Sequence, residues 1–105
     1  MSSNRDKKKF NSLLVESIIE GLDFGEVILR FLELNSNLDR NRIADEPEFF
    51  AEELEKTFGL WTARIFKENI LQLLCRKINI AYSDVRDMNF PEAVREAYRQ
   101  YSEAF

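Results

Sequence analysis

The sequence predicts an all-α protein, folded as an irregular orthogonal bundle of about five helices. Apolar residues recur every three to four positions through most of the chain, which is the spacing of amphipathic helices, and the alternation typical of strands is nowhere sustained. Three Asx-x-x-Glu sequences precede apolar-periodic segments and so indicate helix starts. The 105 residues have the length of one domain. We expect a disordered polar N-terminus at residues 1–6 and a single helical domain at residues 7–105.

The first two helices are predicted on either side of a very short linker. The first helix is expected to end at Gly21, which can adopt a left-handed conformation. Asp23 and Glu26 predict the start of the second helix. The apolar stripes of the two helices consist of Phe10, Leu14, Ile18 and Leu22, and of Phe24, Val27, Ile28, Phe31 and Leu32. Because the linker is so short, the two helices should be neighbours in an αα-hairpin or corner.

An Asn-rich loop, residues 35–44, separates this pair from two further predicted helices. Asp45, followed by Pro47 and a glutamate, predicts the start of the third helix, and Gly59 predicts its end. The fourth helix, residues 60–78, carries an apolar arc over roughly half of its circumference. We therefore expect this helix to be central and to be contacted from several sides.

The last helix has a clear start signal. Asn79 is expected to cap the fourth helix, and a connector follows at residues 80–88. Asn89 and Glu92 then match a capping box, with Pro91 in the first turn. The apolar face of this fifth helix is predicted to consist of Phe90, Val94, Ala97, Tyr98 and Tyr101.

The composition offers little catalytic or metal-binding chemistry. The chain has no histidine and a single cysteine, Cys75. Histidine is the side chain best placed to move protons near neutral pH and the commonest metal ligand, and a lone cysteine can form neither an intrachain disulfide nor a zinc knuckle. Cys75 follows two leucines at the edge of an apolar arc, which favours a buried residue over a nucleophile. We therefore predict that the protein is not an enzyme and has no catalytic residue, cofactor or metal site.

One loop partly matches a calcium-binding template. The oxygen-bearing residues at the ligand positions are Asn35, Asn37, Asp39 and Glu46. The template requires a glycine where this chain has Arg40, and Arg42 adds a second cation inside the loop. The positive charges of these two arginines would repel a calcium ion, so we predict an Asn-rich turn that does not bind calcium.

The charge distribution bears on partners and location. The net charge is −4, and an acidic body disfavours nucleic acid, because phosphate binding needs a basic face. Basic residues are concentrated at Arg5 and at positions 7–9, where we interpret them as a solubilising tail. No apolar run has the length of a membrane span, and no export signal is visible. We therefore expect no membrane association and, with a single cysteine, a cytoplasmic protein.

The second half of the chain has a recognisable order of elements. A Phe-Gly pair precedes a helix with a central glutamate and spaced Ile and Leu, followed by a turn, an aromatic residue and a closing helix. The residues in this order are Phe58, Gly59, Ala63, Glu68, Ile70, Leu71, Leu74, Lys77, Ile78, Tyr82, Phe90, Val94 and Ala97. Residues 54–98 in this way resemble a family of small archaeal all-helical domains of unknown function, although Trp61 replaces a small residue and Asn79 a glycine. The resemblance implies a small helical domain, sometimes attached to signalling proteins, and carries over no catalytic residue.

The surplus of aromatic residues predicts an interaction surface. Trp61 and Ile65 fall on the otherwise polar side of the fourth helix. They are either covered by another part of the chain or exposed as a contact surface, and the same two possibilities apply to Tyr101 and Phe105 at the C-terminus. Exposed aromatic residues favour interfaces. We predict a protein-interaction or dimerisation module that could serve regulation. The chain is expected to form a homodimer through the Trp61 and Ile65 side of the fourth helix, with Tyr101 and Phe105 as the alternative contact. Two alternatives stay open: a nucleic-acid-binding regulator using the helix pair around Gly59, and a binder of a small apolar ligand.

Overall fold

The computed structural model describes residues 2–104, with side chains from Arg5 onward. Within this range the chain forms four α-helices and no strand, which confirms the all-α prediction. The helices are α1 (Ser2–Gly21), α2 (Gly25–Ser36), α3 (Pro47–Ile78) and α4 (Phe90–Glu103), and two 3₁₀ turns lie between them at Arg40–Arg42 and Tyr82–Asp84. Although α1 begins at Ser2, the side chains of residues 2–4 are outside the description. The division of the chain at residue 6 stays a prediction.

The helices number four rather than about five because the predicted third and fourth helices form one kinked element, α3. At the kink, Gly59 has a non-helical backbone with φ of 84° and ψ of 165°. A side chain at this positive φ would be strained, so glycine is required by conformation. Phe58 and Phe66 meet edge-on across the kink, with ring centroids 5.3 Å apart. The orthogonal arrangement of the bundle stays a prediction.

Only one of the three Asx-x-x-Glu sequences forms a capping box. Asn89 accepts a hydrogen bond from the backbone N–H of Glu92 at 2.9 Å, and the carboxylate of Glu92 accepts one from the N–H of Asn89 at 3.4 Å. The capping prediction for Asp23 is wrong, because α2 begins at Gly25 without any side-chain cap. Asp45 does not cap α3 either; its carboxylate faces basic side chains instead.

We predicted that Gly21 would be the left-handed residue of the turn between α1 and α2, but a different residue has this conformation. Gly21 has no positive φ, whereas Phe24 adopts φ of 60° and ψ of 34°. The glycine that this turn requires is Gly25, because a Cβ there would lie 2.4 Å from the carbonyl oxygen of Ile18. The first turn of α2 therefore packs directly against the backbone of α1.

The core lies around α1, which packs against all three other α-helices and the turn Arg40–Arg42. All four members of its predicted stripe, from Phe10 to Leu22, are buried. On the α4 side, the Phe10 ring lies 5.2 Å from that of Tyr98 and 5.7 Å from that of Tyr101. Since α3 packs against both α1 and α4, α1 shares the central position that we expected of residues 60–78 alone.

Two polar side chains hold the loop 37–46 to the helices on either side of it. The buried amide of Asn11 in α1 donates to the carbonyl oxygen of Arg40 and accepts from the N–H of Ala44, both at 2.8 Å. On the other side, the Arg40 guanidinium donates to the carboxylates of Glu26 and Glu33 in α2 at 2.7–3.1 Å. Arg40, which occupies the glycine position of the calcium-binding template, therefore holds the loop against α2.

Candidate interaction surfaces

The second half of α3 presents an exposed apolar surface, which we call the α3 patch and define as Leu60, Trp61 and Ile65. Their side chains are exposed by 72%, 77% and 52%, respectively. The opposite side of the same helix is buried in the core through Ala63, Ile70, Leu71 and Leu74. The register that buries this second set therefore turns Trp61 and Ile65, which are one helical turn apart, toward solvent.

Polar side chains continue the exposed side of α3 beyond the α3 patch. Arg64 and Glu68 are exposed, and Nε of the arginine lies 3.6 Å from the carboxylate of the glutamate. Gln72 and Arg76 continue the same side of the helix and are also exposed. An apolar centre with a polar rim is the usual composition of a protein–protein interface.

The C-terminal pair of predicted interface residues is placed differently. Tyr101 is 5% exposed and packs in the core against Phe10, because the aromatic face of α4 is turned toward α1. Burial raises the pKa of its hydroxyl. Tyr101 is therefore not part of the exposed surface, and Phe105 lies outside the described residues.

A second exposed apolar surface lies on α2, and we call it the α2 stripe: Phe24, Val27, Phe31 and Leu34. These four side chains are exposed by 46–81%. We predicted three of them as members of the apolar face, together with Ile28 and Leu32, but only the last two are buried. The apolar arc of α2 is therefore wider than the part that its own fold covers. The spacing of three, four and three residues along the stripe is the sequence signal for an apolar helix face. Periodicity alone does not tell which part of that face other helices cover.

The first residue of this stripe has a strained backbone. Phe24 is 80% exposed and has the left-handed conformation, which costs a residue with a Cβ roughly 1–2 kcal/mol. Only about a fifth of the side chain is covered, so packing within the chain offsets little of this cost. Strain of this kind is concentrated at functional sites in proteins.

A groove next to the α3 patch lies between α3 and the connector before α4. Its volume is about 570 Å³, and its apolar lining includes Leu60, Leu71, Met88 and Phe90. The lining is not uniformly apolar, because it also contains Lys67, whose Nζ lies 2.5 Å from the carboxylate of Glu55. The groove therefore combines apolar and charged side chains in its lining.

Among the described residues, the acidic side chains form no metal-binding group and the cysteine is buried. No three His, Cys, Asp or Glu side chains among them are grouped so that they could hold a metal ion. Cys75 is 1% exposed, as predicted, and burial raises the pKa of its thiol to about 11. The thiolate is the reactive form of cysteine, so this side chain is poorly suited to nucleophilic attack near neutral pH.

No helix among residues 2–104 combines the length and the apolar character needed to cross a membrane. The chain matches no protein-family profile, and comparisons with curated proteins and with solved structures find no match either.

Proposed function

We propose that this domain is a protein-interaction module that forms a homodimer through the α3 patch. The observation that carries the proposal is the 77% exposure of Trp61 beside Ile65 on a helix whose other side is buried. Tryptophan is enriched at protein interfaces and among the residues that dominate binding energy. A two-fold pairing of α3 with its symmetry mate would cover the same patch on both chains.

The area of the α3 patch requires a dimer interface to extend onto the polar side chains beside it. Trp61 offers on the order of 120–190 Å², given the area of an aromatic side chain and its exposure of 77%. A stable interface needs about 800 Å² from each partner, so Leu60 and Ile65 must be joined by polar neighbours. Arg64 and Glu68 have opposite charges and are one turn apart. An antiparallel pairing would therefore bring each of them next to its complement on the partner.

A non-catalytic, cytoplasmic role with a regulatory function is part of this proposal. The free thiol of Cys75 supports the cytoplasmic part of the proposal, because reducing compartments keep thiols from forming disulfides. Residues 54–98 are predicted to resemble small archaeal domains, some of which are attached to signalling proteins. This resemblance, which stays a prediction, would fit a regulatory role.

The binding of a small apolar ligand is the second candidate function. The 570 Å³ groove beside Leu60 supports it, since ligand sites in helical proteins form between packed elements. Native mass spectrometry of the purified protein separates the candidates. A dimer without additional mass supports the first proposal, and a monomer with a bound small molecule supports the second.

Sedimentation equilibrium at micromolar concentration tests the dimer. We expect twice the chain mass of 12.4 kDa for the wild type and for Ser12→Glu, a control that adds the same charge at an exposed position of α1. Trp61→Glu should weaken association by at least about 2 kcal/mol, or roughly thirtyfold in Kd, while circular dichroism stays unchanged.

A third variant, Phe31→Glu, locates the interface. If Phe31→Glu dissociates the protein and Trp61→Glu does not, the dimer forms through the α2 stripe and the assignment to α3 is wrong. A wild-type monomer at high concentration would remove the proposal altogether.

A further inference from the structure

Basic residues from two distant parts of the sequence meet at one groove, which we call the basic groove. It lies between the first turns of α1 and residues 41–45 and has a volume of about 680 Å³. The charged residues of its lining are Arg5, Lys7, Lys8, Arg42 and Asp45. A smaller neighbouring groove shares two of these cations and adds Lys9. Four cations thus face one carboxylate, in a chain whose net charge is −4.

The loop that supplies Arg42 is held in place by the fold. Asn11 is 6% exposed and binds the loop through both of its amide atoms, at Arg40 and Ala44. The side chain of Arg40 forms salt bridges with the carboxylates of Glu26 and Glu33 in α2 and is not part of the groove lining. Arg42 lies in sequence between Arg40 and Ala44, the two residues whose backbone Asn11 binds. The backbone at Arg42 is therefore held in position before any ligand binds.

Two cations of the basic groove, Lys7 and Arg42, are loosely paired with carboxylates. Nζ of Lys7 also lies 4.4 Å from the centroid of the Tyr98 ring. Nζ of Lys7 and Nε of Arg42 lie 3.6 and 3.9 Å from the carboxylate oxygens of Asp45, and Nη2 of Arg42 lies 3.7 Å from the carboxylate of Glu46. These separations exceed hydrogen-bond distance. Arg40, in contrast, makes hydrogen bonds at 2.7–3.1 Å. The Arg42 side chain is 58% exposed, against 24% for Arg40, so its donors remain accessible to a ligand.

We propose that the basic groove binds a phosphate-bearing compound with at least two anionic groups. Arginine binds phosphate through its planar fork of N–H donors, and lysine does so as a point charge. A ligand with two anionic groups could contact Arg42 on one side and Arg5 or Lys8 on the other. The carboxylate of Asp45 now occupies the space between Lys7 and Arg42 and competes with such a ligand for them.

Isothermal titration calorimetry with tripolyphosphate tests this site. Arg42→Gln and Lys8→Gln should each weaken binding by about tenfold or more, whereas Lys56→Gln, which removes one exposed cation on α3, should leave binding unchanged. Asp45→Asn should tighten binding, because the competing carboxylate is lost. Glu52→Gln makes the same change of charge at an exposed position of α3 and should have no effect.

Flotation with vesicles that contain phosphatidic acid distinguishes a lipid headgroup from a free phosphate compound. Binding in either assay that depends on Arg42 and Lys8 supports the site, and the assay in which it occurs identifies the source of the phosphate. The proposal is overturned if neither probe binds at physiological salt. It is also overturned if Lys56→Gln weakens binding as much as Arg42→Gln, because the interaction would then depend on total charge alone.

Discussion

Replacing Gly25 with alanine should destabilise the protein strongly, for a reason that concerns space and not conformation. The backbone of Gly25 is helical, so an alanine could adopt its φ and ψ. Its Cβ would, however, lie 2.4 Å from the carbonyl oxygen of Ile18 and 2.7 Å from Cα of Ile19. Both are backbone atoms of α1 and cannot rotate away. Overpacking costs about 1–3 kcal/mol, and we expect the upper end, about 3 kcal/mol, because α2 must move as a unit.

Gly21→Ala is the matched control at the end of α1. The added Cβ would lie 3.5 Å from the carbonyl oxygen of Asn69 and 3.6 Å from the side chain of Leu73, which are ordinary contacts. Since alanine is favoured over glycine in a helix by up to about 1 kcal/mol, this variant should match or slightly exceed wild-type stability. Urea denaturation followed by circular dichroism, at one protein concentration, measures both. A cost below about 1 kcal/mol for Gly25→Ala would refute the close packing of α2 on α1.

Three further predictions concern the core and the kink. Gly59→Ala should cost about 1–3 kcal/mol in urea denaturation through backbone strain alone. Apart from the adjoining backbone of its own helix, nothing lies within 4 Å of the added Cβ, so only the φ of 84° opposes it; an unchanged stability would mean that the kink is not held. Leu74→Ala should cost about 2–5 kcal/mol, since Leu74 is 0% exposed, and a much smaller loss would place it outside the core. The thiol of Cys75, with a pKa of about 11 and 1% exposure, should react with a thiol reagent only after denaturant is added, whereas rapid labelling of the native protein would contradict its burial.

Features that depend on local chemistry were predictable from the sequence. The period of the α1 stripe identifies residues that are all buried, and Asn79 takes the left-handed cap with φ of 64° as expected. The capping box at Asn89 forms because its two partners are three residues apart and need no contact from the rest of the chain. In the two caps, at Asn79 and Asn89, the interacting atoms belong to the same or the next helical turn.

Features decided by tertiary packing were not predictable in the same way. Asp23 has the sequence of a cap, yet the close approach of Gly25 to Ile18 determines where α2 begins. The α2 stripe belongs to an apolar arc that the sequence shows in full, whereas its exposure depends on the position of α1. The basic groove needs Arg42 to meet Lys8 across more than thirty positions of the sequence, and the contacts of Asn11 that bring them together leave no sequence pattern.

The fluorescence of Trp61 tests the proposed dimer most directly. It is the only tryptophan of the chain, so its emission reports the environment of the α3 patch without any label. We predict emission typical of a buried indole at high protein concentration and a shift toward that of a water-exposed indole as dilution dissociates the dimer. The midpoint of this shift should move to higher concentration in Ile65→Glu and stay unchanged in Ser12→Glu. Emission typical of a water-exposed indole at every concentration would contradict an interface at Trp61.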